Sequence, residues 1–150
     1  MEQIEWWQSD LPEFDLSNYP AEAVAHLERL LSSSLGQQLL AKPQHAPNEA
    51  VELWREQNFE IIVDDKWTSG TIDRVHIVRN EQGQALSASI IDFKTDQVGN
   101  ESEAEKKATR YDSQMTSYRK AVATLLNLEP EKVHSFLLFT ALPYAVDICQ

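Results

Sequence analysis

Three side chains in two strand-like segments could do hydrolytic chemistry. The first segment reads Gly70-Thr71-Ile72-Asp73-Arg74-Val75, and the second reads Ile90-Ile91-Asp92-Phe93-Lys94-Thr95-Asp96. Side chains alternate along a strand, so Asp92 and Lys94 share one side. Charge beside Ile90, Ile91 and Phe93 is costly unless the charges meet each other or a metal. Two carboxylates, Asp73 and Asp92, converging on one point make a hard-cation site. Magnesium in particular takes few carboxylates, keeps several waters and binds substrate phosphate. A lysine beside such a site can orient or deprotonate a water, or stabilise charge developing on a phosphorane. On spacing alone, an exposed Asp92–Lys94 ion pair on an edge strand is the competing reading.

The elements that must position these groups can be read from periodicity. Residues 1–20 are expected to be irregular, with Pro12 and Pro20 as breakers. Residues 21–40 read as one helix, because Val24, Leu27, Leu31, Leu35 and Leu39 recur at three- and four-residue intervals. Residues 42–48 form a connector with Pro43 and Pro47. Strands are expected over 51–63, 67–78 and 85–94, with turns at Asp64-Asp65-Lys66 and Asn80-Glu81-Gln82-Gly83. A polar segment over 97–107 leads into a helix over 104–126. Short strands are expected over 133–140 and 145–148. The order is helix, three-strand meander, helix, strand.

The hairpin loop decides whether the three groups meet. With Glu81-Gln82 as a two-residue loop, Asn80 faces Gly83 and Asp73 faces Ile90. Asp92 and Lys94 then lie on the face of Asp73. A three-residue loop reverses that relation unless a bulge restores it.

Composition bounds the answer. The chain has 150 residues, 42% of them hydrophobic and 25% charged, which predicts one soluble domain with a real core. No apolar run approaches the roughly 20 residues that span a bilayer, so no membrane partner is expected. The start, Met1-Glu2-Gln3-Ile4-Glu5-Trp6-Trp7, lacks a basic n-region and does not read as a signal peptide. Cytoplasmic residence follows as a default. The single cysteine, Cys149, excludes an internal disulfide and a cysteine-based zinc cluster. The net charge of -11 predicts weak DNA binding by the chain alone. Carboxylates gathered around a cation reconcile that charge with a phosphate substrate.

With these residues in view, the chain resembles a family. The G-x-I-D-R turn, the I-I-D-F-K-T strand and Arg110-Tyr111-Asp112-Ser113-Gln114-Met115-Thr116-Ser117-Tyr118 are similar to the PD-(D/E)XK nuclease domain. The subgroup is the RecB-like one of RecBCD and AddAB-type helicase–nucleases, with G-x-x-D, then D-[YF]-K-[ST], then Q-x-x-x-Y. The similarity runs over about 54–148 and more loosely over the helix from residue 21. It implies an α/β, restriction-endonuclease-like αβββαβ core with a mixed sheet flanked by helices, as a single domain over 21–150.

The resemblance also implies roles. Asp73, Asp92 and the Phe93 backbone carbonyl would hold Mg2+ or Mn2+, and Lys94 would be the catalytic lysine. Gln114 and Tyr118, four apart on one helix face, would line the site or touch DNA. Arg55-Glu56-Gln57-Asn58-Phe59 is similar to the family's R-E-x-P-F segment, which makes Glu56 a further site candidate. Lys106, Lys107 and Arg110 would form a phosphate-contacting edge; on their own they read equally as a solvated helix face. The implied activity is a metal-dependent DNA exonuclease in recombination and repair, with DNA and a helicase domain or subunit as partners. Homo-oligomerisation stays an open alternative.

One family feature does not appear. The usual upstream helix, roughly G-T-x-x-H-x-x-L-E, has only a partial echo in His26-Leu27-Glu28. The chain is therefore expected to be a fragment of a longer helicase–nuclease, a truncated relative, or a catalytically incomplete nuclease-fold domain acting in DNA binding or protein assembly. No G-x-x-x-x-G-K-[ST] phosphate loop is present. The histidines read as structural: His26 on a helix surface, His45 in a loop, His134 at a strand start. His76 falls on the face opposite Asp73 and is a poor ligand. Trp6, Trp7, Trp54 and Trp67 read as core or interface residues, with Trp6-Trp7 hinting at a docking surface.

Overall fold

Apolar alternation along the middle of the chain produces a five-stranded mixed sheet. The computed structural model describes residues 19–148. Within them lie α1 (Ala21–Ser32), α2 (Ser34–Leu40), β1 (Ala50–Val63), β2 (Lys66–Arg79), β3 (Ala85–Lys94), α3 (Glu101–Ala108), α4 (Asp112–Leu126), β4 (Val133–Phe139) and β5 (Tyr144–Asp147). Strand order is β1-β2-β3-β4-β5. Only the β3–β4 pair is parallel, and α3 and α4 make the crossover a parallel pair requires. This is the α/β, restriction-endonuclease-like arrangement that the motifs implied. Expectations for residues 1–18, including Trp6-Trp7, lie outside the described residues. Among those described, no helix is long and apolar enough to cross a membrane.

The chain forms two compact units, Met1–Lys42 and Pro43–Gln150. In the first, the single helix expected over 21–40 is broken. Ser33 is extended (φ -74°, ψ 146°), its Oγ donates to the Leu30 carbonyl at 2.6 Å, and the same Oγ accepts from Gly36 N–H at 2.9 Å. That hydroxyl satisfies an orphan donor at the new N-terminus, so the serine ends one helix and caps the next.

In the second unit the core lies between one sheet face and α3–α4. Val75, Ile77, Ala88, Ile90, Val133 and Leu137 from the sheet pack with Ala104, Ala108, Met115, Ala121 and Val122 from the helices. The helix expected over 104–126 starts earlier and is interrupted. Asn100 caps α3 by accepting from Glu103 N–H at 3.0 Å, while Glu103 accepts from Gly99 N–H at 2.8 Å. This reciprocal capping brings the start back to Glu101. A tight 3-10 turn, Thr109–Tyr111, then separates α3 from α4. Asn127, left-handed at φ 52°, stops α4, and Leu128 N–H closes on the Ala123 carbonyl at 2.8 Å.

The β2–β3 hairpin has a three-residue loop. Asn80 N–H donates to the Gln84 carbonyl at 3.0 Å, and Gly83 N–H donates to the Asn80 carbonyl at 2.9 Å. Gly83 takes the left-handed conformation at φ 78° that this loop requires. A register shift at Val78/Arg79 follows: Arg79 pairs with Ala85 and Val78 with Ser87, leaving Leu86 as the extra residue. Val75 therefore faces Ile90 and Arg74 faces Ile91. The two-residue loop and the Asp73–Ile90 pairing expected from the sequence are corrected. The slip is an even one, so Asp73 keeps the parity of Asp92 and Lys94.

On the other sheet face, Arg74 and His76 are buried. Arg74 Nε donates to His76 Nε2 at 2.9 Å, which fixes His76 as the neutral Nδ1–H tautomer. Burial and the Arg74 charge push the imidazole down to about 4. Burial, with the charge of Arg55, pushes the Arg74 guanidinium down to about 10. An unfolded histidine titrates near 6.5, so unfolding takes up a proton between about pH 4 and 6.5. Stability should rise with pH across that window and fall by about 3 kcal/mol as pH drops through it. Denaturant melts of wild type and His76→Gln at several pH values check this. The variant's curve should be flatter by that amount.

Candidate active site

The site is built where the β1–β2 ribbon changes phase. In β2, Val75 and Ile77 are core residues, and so is Ile72, one step out of alternation. In β1, Trp54 packs on the same core as Phe59, again out of phase. The ladder pairs Arg55 with Arg74 and Gln57 with Ile72, but skips Glu56 and Asp73. Glu56 is left-handed at φ 46°, a conformation uncommon outside glycine. The kink sits at the expected carboxylate.

The β2–β3 ladder runs out at the same place. Its last registered pair is Arg74–Ile91. Lys94 turns its carbonyl toward β4, where it accepts from Thr140 N–H at 3.0 Å. Phe93, one residue back, turns both its N–H and its carbonyl the other way, toward β2. The Asp73 side chain meets that N–H at 2.8 Å through Oδ2. The Phe93 carbonyl is thus aimed to the side of Asp73. Arg55, Glu56, Asp73, Arg74 and Phe93 line one cleft of about 440 Å³. Glu56 is in that cleft, exposed.

Asp92 and Lys94 follow Ala88 and Ile90 onto the helix-facing side. Asp92 is 3% exposed, and its Oδ2 is 2.6 Å from Lys94 Nζ. That contact lacks hydrogen-bond alignment, and Oδ2 has no other partner among the described residues. Burial, above all, raises the Asp92 carboxyl; the nearby Asp73 charge adds to this, and Lys94 opposes it. The charge is therefore only part-compensated by the lysine, a condition that favours a cation close by.

The helix closes a network. Lys94 Nζ donates to Gln114 Oε1 at 3.1 Å. Gln114 Nε2 donates to the Tyr118 hydroxyl at 3.0 Å, and that hydroxyl donates to the Thr71 carbonyl at 2.9 Å. Gln114 and Tyr118 reach in from one face of α4. The Tyr118 ring stands edge-on to Phe59, with centroids 5.6 Å apart at 89°. Gly70 makes room: a Cβ there would fall 3.0 Å from the Tyr118 ring and 3.1 Å from Phe59. Burial pushes the Tyr118 hydroxyl up, so it stays a donor at neutral pH. The glycine of G-x-x-D, the strand lysine and the Q-x-x-x-Y helix are thus one connected assembly.

The basic residues divide. Lys106 and Arg110 are exposed. Lys107 is tied to the strand–helix loop, donating to the Gln97 carbonyl at 2.6 Å with Asp96 Oδ1 3.9 Å away. Sequence reasoning missed Tyr111 and Asp96. The Tyr111 ring lies under Lys94 Nζ at 3.9 Å, and its hydroxyl donates to Asp96 Oδ2 at 2.9 Å. The signal was present in Asp96, which has the parity of Asp92 and Lys94; the contact itself depends on the 3-10 turn.

No curated protein matches the chain. The family model of the PD-(D/E)XK nuclease superfamily matches residues 2–146. With a mixed five-stranded sheet, a kinked G-x-x-D strand and a D-F-K strand joined to a Q-x-x-x-Y helix, this chain belongs to the PD-(D/E)XK nuclease superfamily.

Proposed function

We propose that the chain is a divalent-metal-dependent deoxyribonuclease, of the exonuclease type, from a RecB- or AddA-like helicase–nuclease engaged in recombination and repair. The observation that carries the reading is the Asp92 carboxylate: buried, near the Asp73 charge, with an oxygen that has no hydrogen-bond partner among the described residues. Asp73 and Asp92, with the Phe93 carbonyl, suit Mg2+ or Mn2+, which prefer oxygen donors and few carboxylates. When bound, the metal would supply Lewis acidity toward a phosphodiester oxygen and lower the pKa of a coordinated water. Glu56, in the same cleft, is a further acidic contributor.

Lys94 orients the attacking water and stabilises charge on the phosphorane. Gln114 fixes the lysine, and Tyr118 fixes the glutamine. Lys106 and Arg110, exposed on the crossover, and Lys107 beside them contact backbone phosphates. The net charge of -11 makes a basic helicase domain or subunit the natural supplier of further DNA affinity.

Linear DNA incubated with Mg2+ or Mn2+ tests the proposal. Wild type should release nucleotides, EDTA should stop it, and Asp73→Ala should lower the rate by about 100-fold or more. A second reading, a catalytically incomplete domain for DNA binding or assembly, draws on one observation. Among the described residues no three His, Cys, Asp or Glu side chains gather as a metal cluster. Binding of DNA without metal uptake or cleavage would select it.

A further inference from the structure

Lys94 is held on more sides than its ion pair explains. Its Nζ is 2.6 Å from Asp92 Oδ2 and 3.1 Å from Gln114 Oε1. It also stands 3.9 Å from the centroid of the Tyr111 ring. That ring is not a loose neighbour. Tyr111 ends the 3-10 turn between α3 and α4, and its hydroxyl donates to Asp96 Oδ2 at 2.9 Å. Asp96 follows Lys94 by two residues on the segment leaving β3. The ring is thereby anchored at its backbone on the crossover and at its hydroxyl on the strand side. The lysine lies across the span between the two anchors.

The chemistry of this arrangement is specific. A ring face attracts a cation through its quadrupole, so the ammonium is drawn onto Tyr111 without a hydrogen bond being used. Its N–H donors stay available for Gln114 and for a water or phosphate oxygen. A long flexible side chain is otherwise free to sample several rotamers. A floor on one side, a carboxylate on another and an amide on a third leave it one position.

We propose that Tyr111, pinned by Asp96, is a positioning residue for Lys94: it fixes where the ammonium stands relative to the reacting phosphate. The proposal rests on the nuclease reading of the same site. It is not a catalytic residue, because it touches the lysine and not the substrate.

Kinetics and a spectroscopic signature test it together. Tyr111→Leu should lower kcat by about 10- to 100-fold with KM changed less than about 2-fold, as for a misplaced reacting group. Tyr111→Phe keeps the ring and should recover kcat to within about 5-fold of wild type. Asp96→Ala breaks the same hydroxyl anchor as Tyr111→Phe and should show a similarly small loss. Independently of activity, the Lys94 Hε protons should be shifted upfield by the ring. The shift should persist in Tyr111→Phe and vanish in Tyr111→Leu. Should Tyr111→Leu fail to fold, the ring-induced shift of the Lys94 Hε protons in the wild type decides the matter by itself. Unchanged kcat in folded Tyr111→Leu, or Lys94 protons at ordinary positions in wild type, overturns the proposal. A wild type that never cleaves DNA overturns the nuclease reading instead, and the Lys94 resonances still decide whether Tyr111 holds the lysine.

Discussion

Lys94→Ala should lower phosphodiester cleavage by about 10²- to 10³-fold, or roughly 3–4 kcal/mol in the transition state. The argument rests on where the ammonium stands. It is held by Asp92 and Gln114 at the end of β3, beside the carboxylates proposed to take the metal. Metal uptake should survive, because Lys94 donates no lone pair. Calorimetry with Mn2+ separates the two effects: near-normal binding with cleavage lost is the expected pattern. The variant leaves the buried Asp92 without its counter-charge, which destabilises a folded protein. Rates are therefore compared at a temperature where circular dichroism shows both proteins folded. Equal rates in wild type and variant would mean that the cleavage arises elsewhere.

Asp92→Asn should abolish the thermal stabilisation by metal while costing the metal-free protein little. Two effects oppose each other in the metal-free state. The asparagine removes a carboxylate that burial disfavours, and it also takes away the partner of Lys94. Burial is the larger influence on Asp92, raising its carboxyl despite the lysine. A carboxyl raised in the folded state favours folding only at low pH, and that contribution is lost as pH rises through the raised value. At neutral pH the neutral isostere is therefore near-neutral or mildly stabilising. The metal response is larger. A cation present at 100 times its dissociation constant stabilises the native state by about 2.7 kcal/mol. Melting curves with and without Mn2+ should separate clearly in wild type and coincide in Asp92→Asn. A full Mn2+ shift in the variant would remove Asp92 from the metal site.

Strand alternation and short motifs made much of this legible beforehand. Stretches of strand were readable where the period of two is kept, as in Val75 and Ile77 or Ala88 and Ile90. Asp73, Asp92 and Lys94 stood out as candidates because charge inside such strands is costly. What escaped depended on local hydrogen bonds that override propensity. Ser33 ends one helix and begins another with a single hydroxyl, which an apolar repeat cannot reveal. The Asn100–Glu103 cap was written in the sequence but lay in a polar stretch that the apolar pattern discounted. The Tyr111–Lys94 stack requires the 3-10 turn, whose tighter winding rotates Tyr111 relative to a continuous helix. The Arg74–His76 pair was hidden for another reason: a buried arginine has no periodic signature of its own.

The odd residue at Leu86 has an evolutionary corollary. Two errors of parity, a three-residue loop and a one-residue bulge, cancel to keep Asp73 in step with Asp92. Insertions and deletions between these two aspartates are therefore not graded in their effect. A change of two residues slides the strands and keeps the carboxylates on one face. A change of one turns Asp92 and Lys94 to the opposite face unless a bulge appears or disappears with it. Among diverging copies of this gene, gap lengths in that hairpin should be counted as even or odd. An uncompensated odd gap would turn Ala88 and Ile90 out of the core together with Asp92 and Lys94, so surviving lineages should show even or bulge-compensated gaps.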